Sequence, residues 1–374
     1  RRGWRNSSPA SCEVPGMTLF DSPAFEGHEG VHAFSDEKTG LRCIIAVHST
    51  ARGPAAGGCR MWPYPDAEAA LEDALRLSRA MSYKNAMADL ELGGGKAVII
   101  GDSRRQKTPA LFEAFGRAVE DVGGKYWTAE DVGVSPDDLM HARKHTRYVA
   151  GLEGHPGASG DPSPVTAEGI FRGIQLSVQR RLNRDLRGVT VAIQGVGHVG
   201  GYLAEKLHAA GAKLVVTDVN EDALRQVAGA TGAKVVTPGA IFDVDAEVFA
   251  PCALGGAINA DTLPRLKAKV IAGGANNQLA EPDVGRALFE RGILYAPDYV
   301  INGGGIINVA GEIRAIDRNE AFDPAWVAGK LDRLMLTLGE VMDRSLAEKR
   351  PTHEVANEMA KGRISLAAEQ KAAA

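Results

Sequence analysis

At 374 residues, 44% of them hydrophobic, the chain exceeds what one core usually organises, and it reads as two globular domains with a cleft between them. A formal net charge of -4 offers no basic excess for nucleic acid, and no apolar run approaches the ~18 residues that span a bilayer, so neither a nucleic-acid partner nor a membrane is expected. The four cysteines, at 12, 43, 59 and 252, are too few and too scattered for a disulfide framework or a metal site, which points to a reducing, cytoplasmic setting.

Residues 1–16 are rich in Arg, Ser and Pro, lack the apolar core of a signal peptide and read as a disordered extension, with Met17 a candidate natural start. Cys43 to His48 reads as a strand. Asp66 to Met87 reads as a helix, N-capped by Asp66, with Leu71, Ala74, Leu75 and Met81 at helical spacing. Ala97 to Ile100 is a buried strand. Thr108-Pro109 opens a further helix that stops at Gly123-Gly124, and Ser135-Pro136 repeats the opening signal. A Gly-, Pro- and Ser-rich loop from Gly151 to Pro164 marks a domain boundary before a helical stretch from Val165 to Leu182. Short apolar strands then recur at 189–194, 213–217, 234–236, 247–250, 270–272 and 293–295, separated by helix-length segments. That alternation indicates a parallel sheet with helices on both faces. After about residue 318 the chain turns helical and charged, ending in an alanine-rich tail. The expected fold is α/β: a substrate-binding and oligomerisation domain over 17–150, rejoined by C-terminal helices at about 336–366, and a Rossmann-type doubly wound domain over 151–335.

Gly195-x-Gly197-x-x-Gly200, with Val196, His198 and Val199 between the glycines, follows an apolar strand and opens a helix. In that context the glycines permit a tight turn, close approach of a pyrophosphate and close helix packing, while the helix N-terminus supplies free N–H groups. Asp218 ends the next strand, where a carboxylate accepts hydrogen bonds from a ribose 2'-hydroxyl and repels a 2'-phosphate. NAD is therefore the expected cofactor.

Tyr83-Lys84-Asn85 and Gly93-Gly94-Gly95-Lys96 place two ammonium groups twelve positions apart. One lysine can hold a carboxylate while the other handles protons, and the triple glycine reads as a flexible run that lets backbone and Lys96 approach a small bound molecule. A small amino or keto acid is the substrate this suggests.

Gly57-Gly58-Cys59-Arg60-Met61-Trp62, Met81-Ser82-Tyr83-Lys84-Asn85, Leu92-Gly93-Gly94-Gly95-Lys96, Thr128-Ala129-Glu130-Asp131-Val132-Gly133, Pro162-Ser163-Pro164-Val165-Thr166, Gly274-Ala275-Asn276-Asn277 and Ile306-Ile307-Asn308-Val309 occur in this order. Together they resemble the leucine, phenylalanine and valine dehydrogenase branch of the amino-acid dehydrogenases, from about residue 17 to 345. The resemblance implies reversible oxidative deamination of an L-amino acid by NAD, and a homo-oligomer. It implies Lys84 as anchor of the substrate carboxylate, Lys96 as the general base and Asp131 as a proton relay to the amino group. A lysine enclosed near another cation can be brought to a pKa of ~7 to 8, which suits Lys96 for that work. Gly57 and Gly58 resemble substrate-binding positions, Asn276 or its neighbour Asn277 the cleft floor, and Thr166 a position near the nicotinamide.

The glutamate branch has a lysine just before the paired glycines, where this chain has Ala56. With Ala129, Ile306 and Val309 at the other pocket positions, a glutamate side chain would bury an unpaired charge at several kcal/mol, on the order of a charge without its partner. An apolar substrate is implied, with leucine and branched-chain acids favoured and phenylalanine as alternative. A catalytically silent NAD-binding protein is the rival from another class. Val134 stands where threonine is common, which would delete a hydrogen bond near the substrate, and Ala80 where glycine is usual. His141 and His145 lie four apart among Arg143, Lys144 and Arg147, and read as a solvated basic face rather than a metal site. Cys59 reads as a buried small hydrophobe.

Overall fold

The computed structural model describes residues 19–373; the expectations for residues 1–16, for Met17 and for Cys12 lie outside that range. The first half is built on a five-stranded sheet in the order β1-β2-β4-β3-β5. Its strands are β1 (Gly30–Asp36), β2 (Leu41–Ser49), β3 (Ala55–Trp62), β4 (Gly93–Ile100) and β5 (Tyr126–Glu130). β1 and β2 run antiparallel to their neighbours, whereas β3 is parallel to both β4 and β5. Helix α1 (Ala67–Met87) crosses between β3 and β4, its N-terminus closed by Asp66, whose side chain accepts from Ala69 N at 2.8 Å. The side chains of Ala70, Ala74 and Leu75 bury against Ala46 and Val98, which seats the helix on one face of the sheet. Helices α2 (Pro109–Asp121) and α3 (Pro136–Arg143) start with proline in their first turn, behind Thr108 and Ser135 caps, and cover the other face. Of these strands β2 and part of β4 are legible in the sequence; β1 and β3 are not, because glycine, histidine and alanine interrupt them in place of β-branched runs, and β5 is only five residues long.

The second half opens with α4 (Ser163–Leu182) and carries a six-stranded parallel sheet, β11-β10-β9-β6-β7-β8. The strands are β6 (Thr190–Gln194), β7 (Lys213–Thr217), β8 (Lys234–Val235), β9 (Val248–Pro251), β10 (Val270–Ile271) and β11 (Leu294–Tyr295). Helices α5 (His198–Ala209), α6 (Glu221–Thr231) and α7 (Pro282–Glu290) connect them. Successive strands step outward from β6 to β8, then the chain returns and steps the other way from β9 to β11. That reversal leaves a crevice at the carboxyl ends of β6 and β9, the place where ligands bind in doubly wound sheets.

Four helices follow: α8 (Asp298–Ile301), α9 (Gly304–Arg318), α10 (Pro324–Glu348) and α11 (Thr352–Ala373). They tie the two halves together. One apolar cluster joins Met87 and Leu90, at the end of α1, to Ile170 and Ile174 of α4, Leu334 and Leu338 of α10, and Val355 and Met359 of α11. Arg363 of α11 donates to the carbonyls of Ala86 at 3.1 Å and Met87 at 3.4 Å, closing the C-terminus of α1. No helix among the described residues is long and apolar enough to cross a membrane.

Candidate active site

The triple glycine is a strand interior, not a flexible loop. Gly93, Gly94 and Gly95 are buried in β4, and a Cβ at each would collide with protein: 1.8 Å from Ser49 O, 2.0 Å from Ser82 N and 2.6 Å from the Tyr126 ring, respectively. The missing side chain of Gly94 brings the α1 backbone onto β4, while Gly93 and Gly95 admit Ser49 of β2 and Tyr126 of β5. Side chains alternate along a strand, so Lys96 projects from the same face as Gly94 and Val98, the face under α1. Lys84 and Lys96 thus come from a helix and the strand it is pressed against. Buried Asn85 locks the contact, its amide donating to the carbonyl of Gly93.

Lys96 is 6% exposed and pairs with Asp131 in the loop after β5. The same carboxylate oxygen accepts from Arg60 Nε at 3.1 Å. Burial pushes the Asp131 pKa up, but Lys96 and Arg60 together outweigh burial and hold it below the usual aspartate value. Gly58 makes room for this loop: a Cβ there would stand 2.8 Å from the Asp131 Cβ and 2.5 Å from Glu130 O. Gly57 is equally constrained, with Gly95 O at 1.9 Å from where its Cβ would be.

Lys84 reaches across to the second half, where its Nζ lies 3.4 Å from Asn276 Oδ1. Asn302 donates to the same oxygen at 2.8 Å and to Gly274 O at 3.1 Å. Asn276 is therefore the residue turned toward Lys84, while Asn277 adopts a left-handed backbone with φ of 51°. Burial lowers the Lys84 pKa to about 8, opposed by the negative charge of Asp298 and abetted by Lys96. Asp298 begins α8 and accepts the N–H groups of Gln278 and Tyr299 at 3.0 and 2.7 Å.

Of the four apolar positions, Ala56 and Ala129 lie in the first sheet, and Ile306 and Val309 on α9. Ala56 lies opposite Gly94 and Trp127 in the sheet, buried, within the cluster against which Ile306 and Val309 of α9 pack. Ala129 is the β5 partner of Gly58. Two glycines press the first turn of α9 onto that of α4: a Cβ on Gly304 would stand 2.4 Å from Val165 O, and one on Gly305 2.8 Å from Thr166 Oγ1. Thr166 thereby lies against Gly305, with its hydroxyl donating to Pro162 O at 2.9 Å.

The turn after β6 divides its work among three glycines. Gly195 has φ of 95°, which only glycine adopts freely, and Gly200 packs so closely that a Cβ would lie 2.0 Å from Gly195 O. Around a Cβ on Gly197 there is nothing within 4 Å. That open flank, at the N-terminus of α5, fits a pyrophosphate. Val196 donates to Asp218 Oδ2 at 2.7 Å, so the carboxylate is fixed at the end of β7 beside the turn, suited to ribose hydroxyls. His198 is exposed at the start of α5, and Val199 touches the Asn276 loop, 3.2 Å from a Cβ on Gly274. Turn and lysine pair meet at one cleft.

Three residues gained no role from the sequence: Arg60, Asn302 and Glu312. Each is a polar group in an apolar setting, which is the available signal. Glu312 of α9 is fully buried and accepts from the backbone of Gly151 at 2.9 Å, Leu152 at 3.2 Å and Ser159 at 3.2 Å, and from the Ser159 hydroxyl at 2.7 Å, pinning the segment that joins the two halves. Val134 is buried with Met61, Leu139 and Ala142 in the core of the first sheet, its N–H donating to Asp131 O at 2.9 Å. Ala80 lies on the exposed side of α1. His141 contacts Lys144 at 3.4 Å, and His145 faces Glu113 at 3.9 Å. Cys59 is buried, which pushes its thiol pKa well up, as for an inert packing residue.

A dinucleotide turn on a doubly wound sheet, facing two lysines and an aspartate from a second sheet, defines the class as a dinucleotide-dependent dehydrogenase. Comparison with known proteins narrows it. Residues 28–148 match the Glu/Leu/Phe/Val dehydrogenase dimerisation domain, and residues 157–220 and 216–372 match the glutamate/leucine/phenylalanine/valine dehydrogenase domain. A leucine dehydrogenase of Geobacillus stearothermophilus is 47% identical over 93% of this chain and 94% of its own. A phenylalanine dehydrogenase of Bacillus thermotolerans is 45% identical over 96% and 94%. The crystal structure of L-tryptophan dehydrogenase from Nostoc punctiforme superimposes with a TM-score of 0.80 at 40% identity, covering 91% of this chain and 97% of that one. A hetero-hexameric glutamate dehydrogenase from Thermus thermophilus, at TM-score 0.75 and 22% identity over 92% and 90%, shares the fold. The chain belongs to the Glu/Leu/Phe/Val dehydrogenase family and is an amino-acid dehydrogenase.

Proposed function

We propose that the chain catalyses the NAD-dependent, reversible oxidative deamination of an apolar L-amino acid, leucine or another branched-chain acid in preference to phenylalanine. An amino acid, NAD and water give the 2-keto acid, ammonium, NADH and a proton. The observation that carries this reading is the pairing of Lys96 with Asp131 on the first sheet, with Lys84 reaching Asn276 across the cleft. The leucine dehydrogenases among the relatives support the preference. So do the apolar Ala56, Ala129, Ile306 and Val309, which offer a glutamate side chain no counter-charge.

In this scheme Lys84 binds the substrate carboxylate as its ammonium, in a setting too dry for water to compete fully. Asp131, held ionised by Lys96 and Arg60, accepts a proton from the substrate ammonium and leaves a free amine. Gly195, Gly197 and Gly200, with Asp218 beside them, would hold NAD along the β6 turn, where it would supply the acceptor for the hydride leaving the alpha carbon. Lys96 then takes a proton from water as that water attacks the resulting imine, and returns protons as the carbinolamine releases ammonia. Gly57 and Gly58 let Gly95 and the Asp131 loop close directly against β3, which sets Asp131 at its working distance from Lys96. Asp218 selects NAD over its 2'-phosphorylated form by charge. The two sheets divide the labour as domains, about 17–150 with the C-terminal helices and 151–335. The chain works in the cytoplasm as a homo-oligomer, consistent with the dimerisation domain that residues 28–148 match.

The test is turnover by Lys96→Ala and Lys84→Ala. The first loses kcat by several orders of magnitude and keeps NAD affinity, while the second chiefly raises the amino-acid KM. Near-normal kcat in folded Lys96→Ala would remove the base from the mechanism.

A further inference from the structure

We propose that Arg60 is a positioning residue for proton transfer, binding Asp131 to the helix that carries Lys84 through a bridge to Asp73. The proposal rests on the reading of Lys96 and Asp131 as the proton-handling pair. Arg60 sits in the middle of β3 between buried Cys59 and Met61, where a charged side chain needs partners on both sides. It has two. Its Nε donates to Asp131 Oδ2 at 3.1 Å, and its Nη1 donates to Asp73 Oδ2 at 2.9 Å.

Asp73 lies on α1 and is itself fixed: the Tyr64 hydroxyl donates to it at 2.6 Å, and Arg76 at 2.7 Å. The charges alternate along a chain, Lys96, Asp131, Arg60, Asp73, Arg76, from the buried strand to the exposed side of α1. A planar guanidinium with a fixed fork of donors can serve two carboxylates in set directions, which a lysine ammonium cannot. Both cations on Asp131 converge on one oxygen, Oδ2, so the carboxylate's rotation is set by Lys96 and Arg60 jointly.

The remaining groups around Asp131 come from each neighbouring element: Lys84 on α1, Glu130 at the end of β5, Cys59 on β3 and Tyr64 beyond it, with His198 of α5 facing Glu130. Glu130, Cys59 and Tyr64 bring no positive charge at neutral pH, and Lys84 is to be neutralised by the substrate carboxylate. Once substrate is bound, Arg60 is therefore the permanent cation that favours the ionised form of Asp131, ready to accept the substrate proton, while Lys96 changes its protonation.

The experiment is the pH dependence of kcat and kcat/KM in the full-length enzyme, with leucine and NAD, for Arg60→Ala, Arg60→Lys, Asp73→Asn and the double variant Arg60→Ala/Asp73→Asn. An opposite charge at this range depresses a carboxylate pKa by about 1 to 3 units, so Arg60→Ala should move the limb set by Asp131 ionisation up by about one unit. On that limb the rate falls about tenfold, with the KM for NAD unchanged. Arg60→Lys recovers part of the loss. Asp73→Asn shifts the limb the same way by less, and adds nothing to Arg60→Ala, because it acts through the arginine.

A folded Arg60→Ala enzyme whose pH profile superimposes on the parent overturns the proposal, as does full additivity of the two substitutions. If Arg60→Ala does not fold, Asp73→Asn decides: a shifted limb supports the bridge and an unshifted one refutes it. Turnover retained by Lys96→Ala would instead overturn the underlying base assignment. A dead Lys96→Ala with an unshifted Arg60→Ala would overturn the positioning role alone.

Discussion

Gly197 and Gly200 lie three residues apart in one turn, and substituting alanine at each should have opposite consequences. At Gly200 the new Cβ would lie 2.0 Å from the carbonyl oxygen of Gly195 and 3.5 Å from the Cys252 Cβ, a collision with backbone that no rotamer relieves. Forcing a methyl into so tight a contact costs about 1 to 3 kcal/mol or more, and the displaced helix would also spoil the phosphate site. At Gly197 nothing lies within 4 Å and the backbone φ is -65°, which alanine adopts. The unfolded chain loses freedom worth about 0.4 to 1 kcal/mol, offset by alanine being a poorer N-cap than glycine, so folding stability should change little. Yet the methyl occupies the flank where the pyrophosphate would rest, and NAD affinity should fall at least tenfold, about 1.4 kcal/mol. Urea denaturation and NAD titration by quenching of intrinsic fluorescence measure the two effects separately. Equal destabilisation by the two substitutions, or NAD binding by Gly197→Ala at parental affinity, would refute the division of roles.

Lys84, at a pKa of about 8, should lose its grip on the substrate carboxylate as pH rises through that value, because only the ammonium form attracts it. The leucine KM of the enzyme should climb on the alkaline side. Lys84→Ala should raise that KM by about 10- to 100-fold, the worth of a hydrogen bond to a charged group. Glu312→Ala strands the N–H groups of Gly151, Leu152 and Ser159 and should lower stability by about 3 to 5 kcal/mol in urea, whereas a loss under 1 kcal/mol would show that water replaces the carboxylate. Asp218→Ser removes the negative charge while keeping an acceptor for Val196 N. The ratio of kcat/KM with NADP to that with NAD should rise at least tenfold, and an unchanged ratio would deny Asp218 its selectivity.

The second sheet was legible almost strand by strand, since parallel buried strands are written as short apolar runs separated by helix-length segments. The first sheet was largely hidden. Ala55–Trp62 contains two glycines and an arginine, and reads as a loop until β4 and β5 are placed on either side of it. The glycines of β4 misled for the same reason. In the sequence a triple glycine means freedom, whereas in the fold each marks a place where Ser49, Ser82 or Tyr126 leaves no room for a methyl. Lys84, Lys96 and Asp131 could be named from motifs, but the partners that set their charge, Arg60, Asn302 and Asp298, come from segments far apart in the chain. Only the tertiary structure brings them within hydrogen-bonding or electrostatic range.

NADH formation at alkaline pH, followed with NAD and, in turn, leucine, valine, isoleucine, phenylalanine and glutamate, tests the central claim most directly. The account predicts turnover on the apolar amino acids, strongest with leucine or another branched-chain acid, and none on glutamate. Turnover on glutamate, or silence on every amino acid from protein that binds NAD, would contradict it.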